Sequence, residues 1–305
     1  MPKIRTISFD PKLHRYNDED KLPYLSVTTQ VDKYKEPFDK EYWSKKKAQE
    51  LGLTQGQVLA NWDKITKDSH IKGNKIHERL EDSVNDSRLI NTDYLYNVPD
   101  INYNDPRNLI GFEVTLEVLK ETPLAKHYPK IFELLEFYIN KGYRVYAEKR
   151  IYLFEYQVAG TIDLVLIKDK EFIIVDWKTN KDDLKFVSGY FKKVNGIKTD
   201  QWVDKKSYYL YPLDKVEECK GNGYSLQLSS YAWMLEQWGF KCIGLILCHI
   251  RETKEDVDIV KEKKVEFYKI RYMKAEVKSM FEHSFKYRNN SRSQGEMKFA
   301  SKFSW

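Results

Sequence analysis

Asp163, Asp176 and Lys178 interrupt the most apolar stretch of the chain, GTIDLVLIKDKEFIIVDWKTNK, residues 160–181. Ile162, Leu164, Val165, Leu166 and Ile167, then Phe172, Ile173, Ile174 and Val175, read as two buried strands of a hairpin. With the turn at Asp169-Lys170, Asp163 and Asp176 each stand six residues from it, so antiparallel pairing sets them directly opposite one another. Opposed residues share a face, with Cβ atoms about 4.5–5.5 Å apart. Lys178 lies two residues on and shares that face, with Thr161 as its expected partner. Two like charges facing each other destabilise a bare sheet, and a divalent cation offsets the repulsion. Mg²⁺ takes oxygen ligands and commonly uses one or two carboxylates together with substrate phosphate. Such a centre suits phosphodiester hydrolysis, because the metal polarises the phosphate and generates a hydroxide-like nucleophile. The lysine would add positive charge where the transition state gains negative charge, and it could orient the water. Plain solvent exposure at the polar end of a hairpin is the competing reading of the same three residues.

The elements that must hold these groups follow from periodicity. Residues 1–35 read as strands and turns, with HRYNDEDKLPYLSVTT resembling a hairpin. Residues 36–142 look mainly helical. KIFELLEFYINKG is the clearest helix, with Ile131, Leu134, Leu135 and Tyr138 on one face and a stop at Lys141-Gly142. The Asn-, Asp- and Pro-rich stretch 90–108 reads as a loop. Residues 143–288 carry the strand YRVYAEKRIYLF, the hairpin, an insertion at about 182–224, a helix SLQLSSYAWMLEQWG, the strands CIGLILCHI and VEFYKIRY, and an amphipathic helix over 273–288 through Val277, Met280, Phe281 and Phe285. The tail 289–305 reads as loosely structured. The expectation is one domain over 1–305, α/β or α+β, with a mixed central sheet flanked by helices and a helical N-terminal region.

Composition narrows the class. The chain has 305 residues, 41% hydrophobic and 32% charged, enough for a real core. No run of eighteen or more apolar residues suggests a membrane span, and the opening MPKIRTISFD lacks the apolar core of a signal peptide, so a cytoplasmic location is expected. Lys plus Arg is 52 against 46 acids, a net charge of +6 that permits a nucleic-acid partner without requiring one. Cys219, Cys242 and Cys248 form no CxxC pair, and read as structural or incidental. In the insertion, Lys185, Lys192, Lys193, Lys198, Lys205 and Lys206 alternate with Phe186, Tyr190, Phe191, Trp202, Tyr208 and Tyr209. Lysines bind phosphates and aromatics stack on unpaired bases, so this segment could guide or split DNA, or be a subdomain with its own aromatic core.

Gly160-Thr-Ile-Asp163 followed by Asp176-Trp-Lys178 resembles the core of the PD-(D/E)XK nuclease superfamily. Gln227-x-x-x-Tyr231 downstream, and Gly73-Asn-Lys-Ile-His77-Glu78 on an upstream helix, are similar to motifs of its RecB-type branch and of phage exonucleases of similar size. LSVTTQVDKYKEPFD resembles the start of such phage proteins more loosely. The resemblance implies a restriction-endonuclease-like core and a Mg²⁺- or Mn²⁺-dependent deoxyribonuclease, an exonuclease before an endonuclease, with a non-catalytic DNA-binding module as the further alternative. It implies Asp163, Asp176, the Trp177 backbone carbonyl and His77 as metal ligands and Lys178 as the catalytic lysine. Gln227 and Tyr231 would support the site and contact DNA, Lys181 would add to DNA binding, and Glu148 resembles an acidic position lining such sites. Gly73 could equally serve close packing, Tyr231 could be core, and Glu148 beside Lys149 and Arg150 could be a surface charge cluster. DNA is the implied partner, with a recombinase, a single-strand-binding protein or a helicase as protein partners. The three cysteines do not fit the four-cysteine iron–sulfur pattern of some members, so no cluster is expected. No GxxxxGK[ST] motif is present, so no nucleotide cofactor is expected and translocation would need another protein.

Overall fold

Each N-terminal element is set by a turn or a cap. The computed structural model describes residues 7–10, 15–90, 112–194, 197–251 and 264–300, so the expected loop 90–108 falls almost wholly outside the described residues. Strands β1 (Ser8–Asp10), β2 (Arg15–Asn17) and β3 (Pro23–Ser26) form an antiparallel meander. The expected hairpin does not run on through VTT. The Ser26 hydroxyl accepts the Thr29 N–H and starts helix α1 (Val27–Asp32) instead. Helix α2 (Lys40–Leu51) is capped by Asp39 and stopped by Gly52 at φ +65°. Helix α3 (Gln55–Asp86) starts at a Thr54/Gln57 capping box and has 32 residues, a length of about 48 Å. Its first half is largely exposed, and its second half buries Ile76, Leu80 and Val84, one per turn. That stripe fixes the helix rotation and so the direction of His77.

Short strands β4 (Arg88–Ile90) and β5 (Phe112–Val114) pair with each other, and helices α4 (Leu116–Glu121), α5 (Pro123–His127) and α6 (Pro129–Asn140) follow. Helix α6 is the one read from KIFELLEFYIN, and Gly142 at φ +83° follows its end as expected. The remaining elements are β6 (Arg144–Leu153), β7 (Val158–Lys168), β8 (Glu171–Lys178), β9 (Gly189–Val194), β10 (Ile197–Asp204), α7 (Lys220–Gln237), β11 (Lys241–Arg251), β12 (Lys264–Lys269) and α8 (Lys274–Ala300). Helix α7 begins five residues before the expected SLQ start. The backbone of α8 stays helical to Ala300, although 289–300 read as loose tail; that segment holds no proline and a single glycine, so little in it breaks a helix.

The structure is a mixed α/β fold. Eight strands form one sheet in the order β1-β2-β3-β7-β8-β11-β12, with β6 on the other edge of β7. β8 and β11 are parallel, with α7 in the connection between them, and the other neighbours of β8 and β11 are antiparallel. One face packs on α1, α7 and α8 through Val27, Leu228, Trp233, Val277 and Phe281. The other packs on α3 and α4–α6 through Leu80, Leu119, Tyr128, Ile131 and Leu135. Among the described residues no helix is long and apolar enough to cross a membrane.

The sheet forks at the middle of β7. β6 pairs with it along almost its whole length, whereas the opposite edge is shared: β3 takes Val158 and Ala159, and β8 takes Leu164 to Lys168. Residues 160–163 lie in the gap between those two partners. Gly160 lets α7 and α1 lie close against this gap, because a Cβ there would sit 2.6 Å from Cε1 of Tyr231 and 3.3 Å from Val27 Cγ2. Gly160→Ala should therefore cost about 1–3 kcal/mol of stability, measured by urea denaturation. An unchanged midpoint would mean that α7 shifts freely over the sheet.

Candidate metal centre at the fork

The register of the hairpin is the expected one, since Lys168 pairs with Glu171 and Leu164 with Val175. The paired ladder ends there. One step further, Asp163 and Asp176 stand opposite each other on strands that have begun to part, and the Trp177 N–H donates to Asp163 Oδ2 at 2.8 Å. The expected Thr161–Lys178 pairing is not formed. Thr161 pairs only with Arg150 of β6, and its hydroxyl is 3.0 Å from that of Tyr16. The fork is the reason, because β8 has left β7 before Lys178.

On the other edge of β7 the same level is occupied by Glu148. Ala147 pairs with Leu164 and Lys149 with Ile162, which leaves Glu148 facing Asp163. Glu148 has φ +48°, a left-handed conformation that costs a non-glycine residue about 1–2 kcal/mol. The residue inverts the alternation of its strand: Val145 and Ala147 face the α3 side, but Ile151, of the same parity, faces the α7 side. β7 switches at the same level, with Ile162 on the α7 side and Leu164 on the α3 side. Three carboxylates thus stand in a row on three adjacent strands, at the level where two of those strands change face.

Helix α3 brings the imidazole. His77 Nδ1 lies 3.7 Å from Asp163 Oδ2, and one ligand atom each of His77, Glu148 and Asp163 lie within 4.8 Å of one another. Ligand atoms held at 2.0–2.1 Å from one octahedral ion are about 3–4.2 Å apart, so a nitrogen and two carboxylates within 4.8 Å would have to draw slightly closer to share a small divalent cation. Asp176 is not in this closest group. It is 1% exposed, and its Oδ2 lies 2.5 Å from Lys178 Nζ. Gly73, one turn before His77, has its Cβ position 3.3 Å from Thr179 Oγ1, so the packing role weighed for it is realised.

Crowding and desolvation dominate the electrostatics. Burial raises Glu148 to about 8, with Asp163, Glu81 and Asp176 adding to the rise. Burial likewise raises Asp176, with Lys178 opposing and Asp163 reinforcing. Burial alone would lower Lys178, but Asp176 and Asp163 beside it reverse the direction and hold it above the ordinary lysine range.

The cluster opens into a cleft of about 840 Å³ walled by α3 (His70, Gly73, Asn74, His77), the β1–β2 aromatics Phe9 and Tyr16, and Thr179, Asn180 and Tyr224. Another hollow of about 860 Å³, between the insertion and α8, contains none of the candidate ligands. Gln227 and Tyr231 do not line the cleft. Tyr231 is a core residue, Gln227 donates to its hydroxyl at 3.1 Å, and Gln227 opens on a separate hollow of about 330 Å³. Lys181 is exposed beyond the end of β8. In the insertion, Lys185 stacks on Phe191 and Trp202, which meet edge to face, and Tyr209 belongs to the main core. Tyr190 and Tyr208 remain about half exposed.

Sequence reasoning missed Phe9, Tyr16, Asn180 and Tyr224. Tyr16 lies far from the motif in sequence, and only the β2–β3–β7 connection brings it to Thr161. Asn180 and Tyr224 lie next to recognised motif positions, and that proximity was the available signal. No family model matches the chain, and neither does any curated protein.

Glu148 dictates a pH dependence. A carboxyl raised from 4.5 to about 8 on folding keeps its proton in the folded chain while the unfolded chain ionises. The unfolded state then binds fewer protons across that window, so stability falls as pH rises through it. Thermal melts in EDTA between pH 5 and 8.5 should show a falling midpoint, and Glu148→Gln should make the fall shallower, leaving the share that Asp176 contributes. An equal slope in that variant would remove Glu148 as its source.

Proposed function

We propose that the protein is a metal-dependent deoxyribonuclease that hydrolyses phosphodiester bonds, an exonuclease by preference. The observation that carries the reading is the row Glu148–Asp163–Asp176 on three adjacent strands, with Glu148, Asp163 and His77 lining one open cleft and Lys178 paired with the buried Asp176. The order of the Gly73–His77, Gly160–Asp163, Asp176–Lys178 and Gln227–Tyr231 motifs supports it by resemblance to the RecB-type branch of PD-(D/E)XK nucleases.

Asp163, Glu148 and His77 would hold Mg²⁺ or Mn²⁺, with Asp176 and the Trp177 carbonyl as the further ligands that the resemblance implies. Such an ion supplies polarisation of the phosphate and a water acidic enough to attack at neutral pH. The chain's own residues do the rest. The Trp177 N–H fixes the orientation of the Asp163 carboxylate. Lys178 stays charged at neutral pH because of its acidic neighbours, and it offers that charge to the phosphate oxygens as they gain negative charge. An open cleft accepts a polymer strand, and the exposed Lys181 follows the cleft-lining Thr179 and Asn180 in the chain. The preference for ends rests on the His77-type motif, whose branch mainly processes DNA ends.

The test uses an end-labelled linear duplex and a closed circle, each with Mg²⁺, Mn²⁺ or EDTA. Metal-dependent loss of the linear DNA alone is expected. Cutting of the circle at an equal rate would make the protein an endonuclease, and binding without cleavage would make it a DNA-binding module. Lys178→Ala should abolish cleavage and leave DNA binding. It uncovers the buried Asp176 carboxyl, so its melting temperature is compared first. His77→Ala should chiefly raise the metal concentration needed for half-maximal activity; a lowered plateau with an unchanged midpoint would remove His77 from the metal.

A further inference from the structure

A lysine is a point charge on a flexible four-carbon stem, and a charge that must meet one phosphate oxygen needs its position fixed. Asp176 holds one side of the Lys178 ammonium at 2.5 Å. The ring of Tyr224 takes another side, with its centroid 4.7 Å from Nζ, inside the range of a cation–π contact. Tyr224 comes from the early part of α7, one turn before Gln227. Its hydroxyl donates to Asn180 Oδ1 at 2.9 Å. Asn180 is held in turn, because its backbone carbonyl lies 2.8 Å from Nε2 of His249, a fully buried residue of β11 in register with Lys178 on β8. A carbonyl only accepts, so His249 carries its proton on Nε2 and donates.

We infer that Tyr224 is the positioning residue for Lys178, aimed by Asn180 and backed by His249. The inference rests on the nuclease reading for its catalytic consequence, and on geometry alone for the contact itself. Tyr224 is half-buried, lines the cleft, and touches the edge of the core without filling its centre. Its hold on the ammonium differs in kind from that of Asp176. The carboxylate attracts the lysine only while it is ionised and not otherwise engaged, whereas the face of the ring attracts it in every state of Asp176. The Asn180 hydrogen bond sets the tilt of that face, and the His249 bond keeps Asn180 from moving away with the exposed segment that follows β8.

Two readouts separate this inference from the nuclease reading. In NMR spectra of lysine-labelled protein, the ε-methylene of Lys178, identified by its loss in Lys178→Gln, should resonate upfield of the other lysines. Tyr224→Phe, which keeps the ring but loses the Asn180 bond, should keep part of that shift, and Tyr224→Leu should remove it. In single-turnover cleavage, Tyr224→Leu should slow the reaction about tenfold with DNA affinity unchanged, and Tyr224→Phe should restore most of the rate. In a Lys178→Gln background, followed over long incubations, Tyr224→Leu should cost nothing more. An ordinary Lys178 shift in the wild-type protein, or losses that multiply in the double variant, would overturn the inference. A wild-type protein that cleaves no DNA but shows the upfield shift would sink the nuclease reading and leave the Tyr224–Lys178 pairing standing.

Discussion

Three carboxyl groups on three adjacent strands, largely out of water, form the constraint around which the fold is arranged. Left alone they repel one another, and burial penalises each charge further. The structure meets the problem with several devices at once. Lys178 lies against Asp176, the Trp177 N–H is given to Asp163, and Glu148 is driven toward its neutral form. Of these, only the protonation of Glu148 relieves its repulsion with Asp163, with which it shares the cleft and His77. A site that relieves its own strain only by protonation is one that a divalent cation would stabilise, and its affinity for such a cation would rise as protons leave.

The fork in the sheet is what keeps that cluster reachable. Had β8 stayed with β7 to its end, Asp163 and Asp176 would be locked in a regular ladder, and Thr161 would face Lys178. Because β3 claims the start of β7 and β8 only its finish, four residues of β7 lack a strand on one edge. Gly160 lets Tyr231 lie against that stretch, and the Tyr16 hydroxyl meets Thr161. Glu148 adds a second distortion at the same level, in the left-handed region where a glutamate is strained. Strain and an open edge coincide with the acids and not with the surrounding core, where Leu164 to Ile167 run in ordinary register.

Much of this was legible in the sequence. The hairpin register followed from the turn at Asp169-Lys170 and from the apolar runs on either side, because a slip by one residue would reverse every buried side chain. The His77 helix was expected only as part of the mainly helical stretch 36–142, and the structure adds its buried stripe of Ile76, Leu80 and Val84. What could not be read is where strands stop pairing. The insertion of β3 beside β7 joins residues more than 130 positions apart, and no local pattern encodes it. The inverted alternation at Glu148 was equally hidden, because a run such as RVYAEKRIYL is consistent with either face. The role of Tyr231 turned on the same fork: only the approach of α7 to Gly160 decides that it is core, with Gln227 as its hydrogen-bond partner.

The two cations at the site illustrate how one fold assigns different tasks to similar groups. Arg150 is exposed on β6, lines the cleft, and its charge acts on Glu148 and Tyr16. Lys178 is 14% exposed at its side chain and is held by a carboxylate and a ring. A guanidinium at a rim can steer and pair with phosphates at modest cost in order, whereas an ammonium held by its neighbours acts at one point only. The order in Lys178 comes from packing supplied by three separate elements, β8, α7 and β11. Its placement is therefore a property of the tertiary fold and not of the Asp-Trp-Lys segment alone, and a short motif of that kind gains chemical meaning only where such neighbours stand around it.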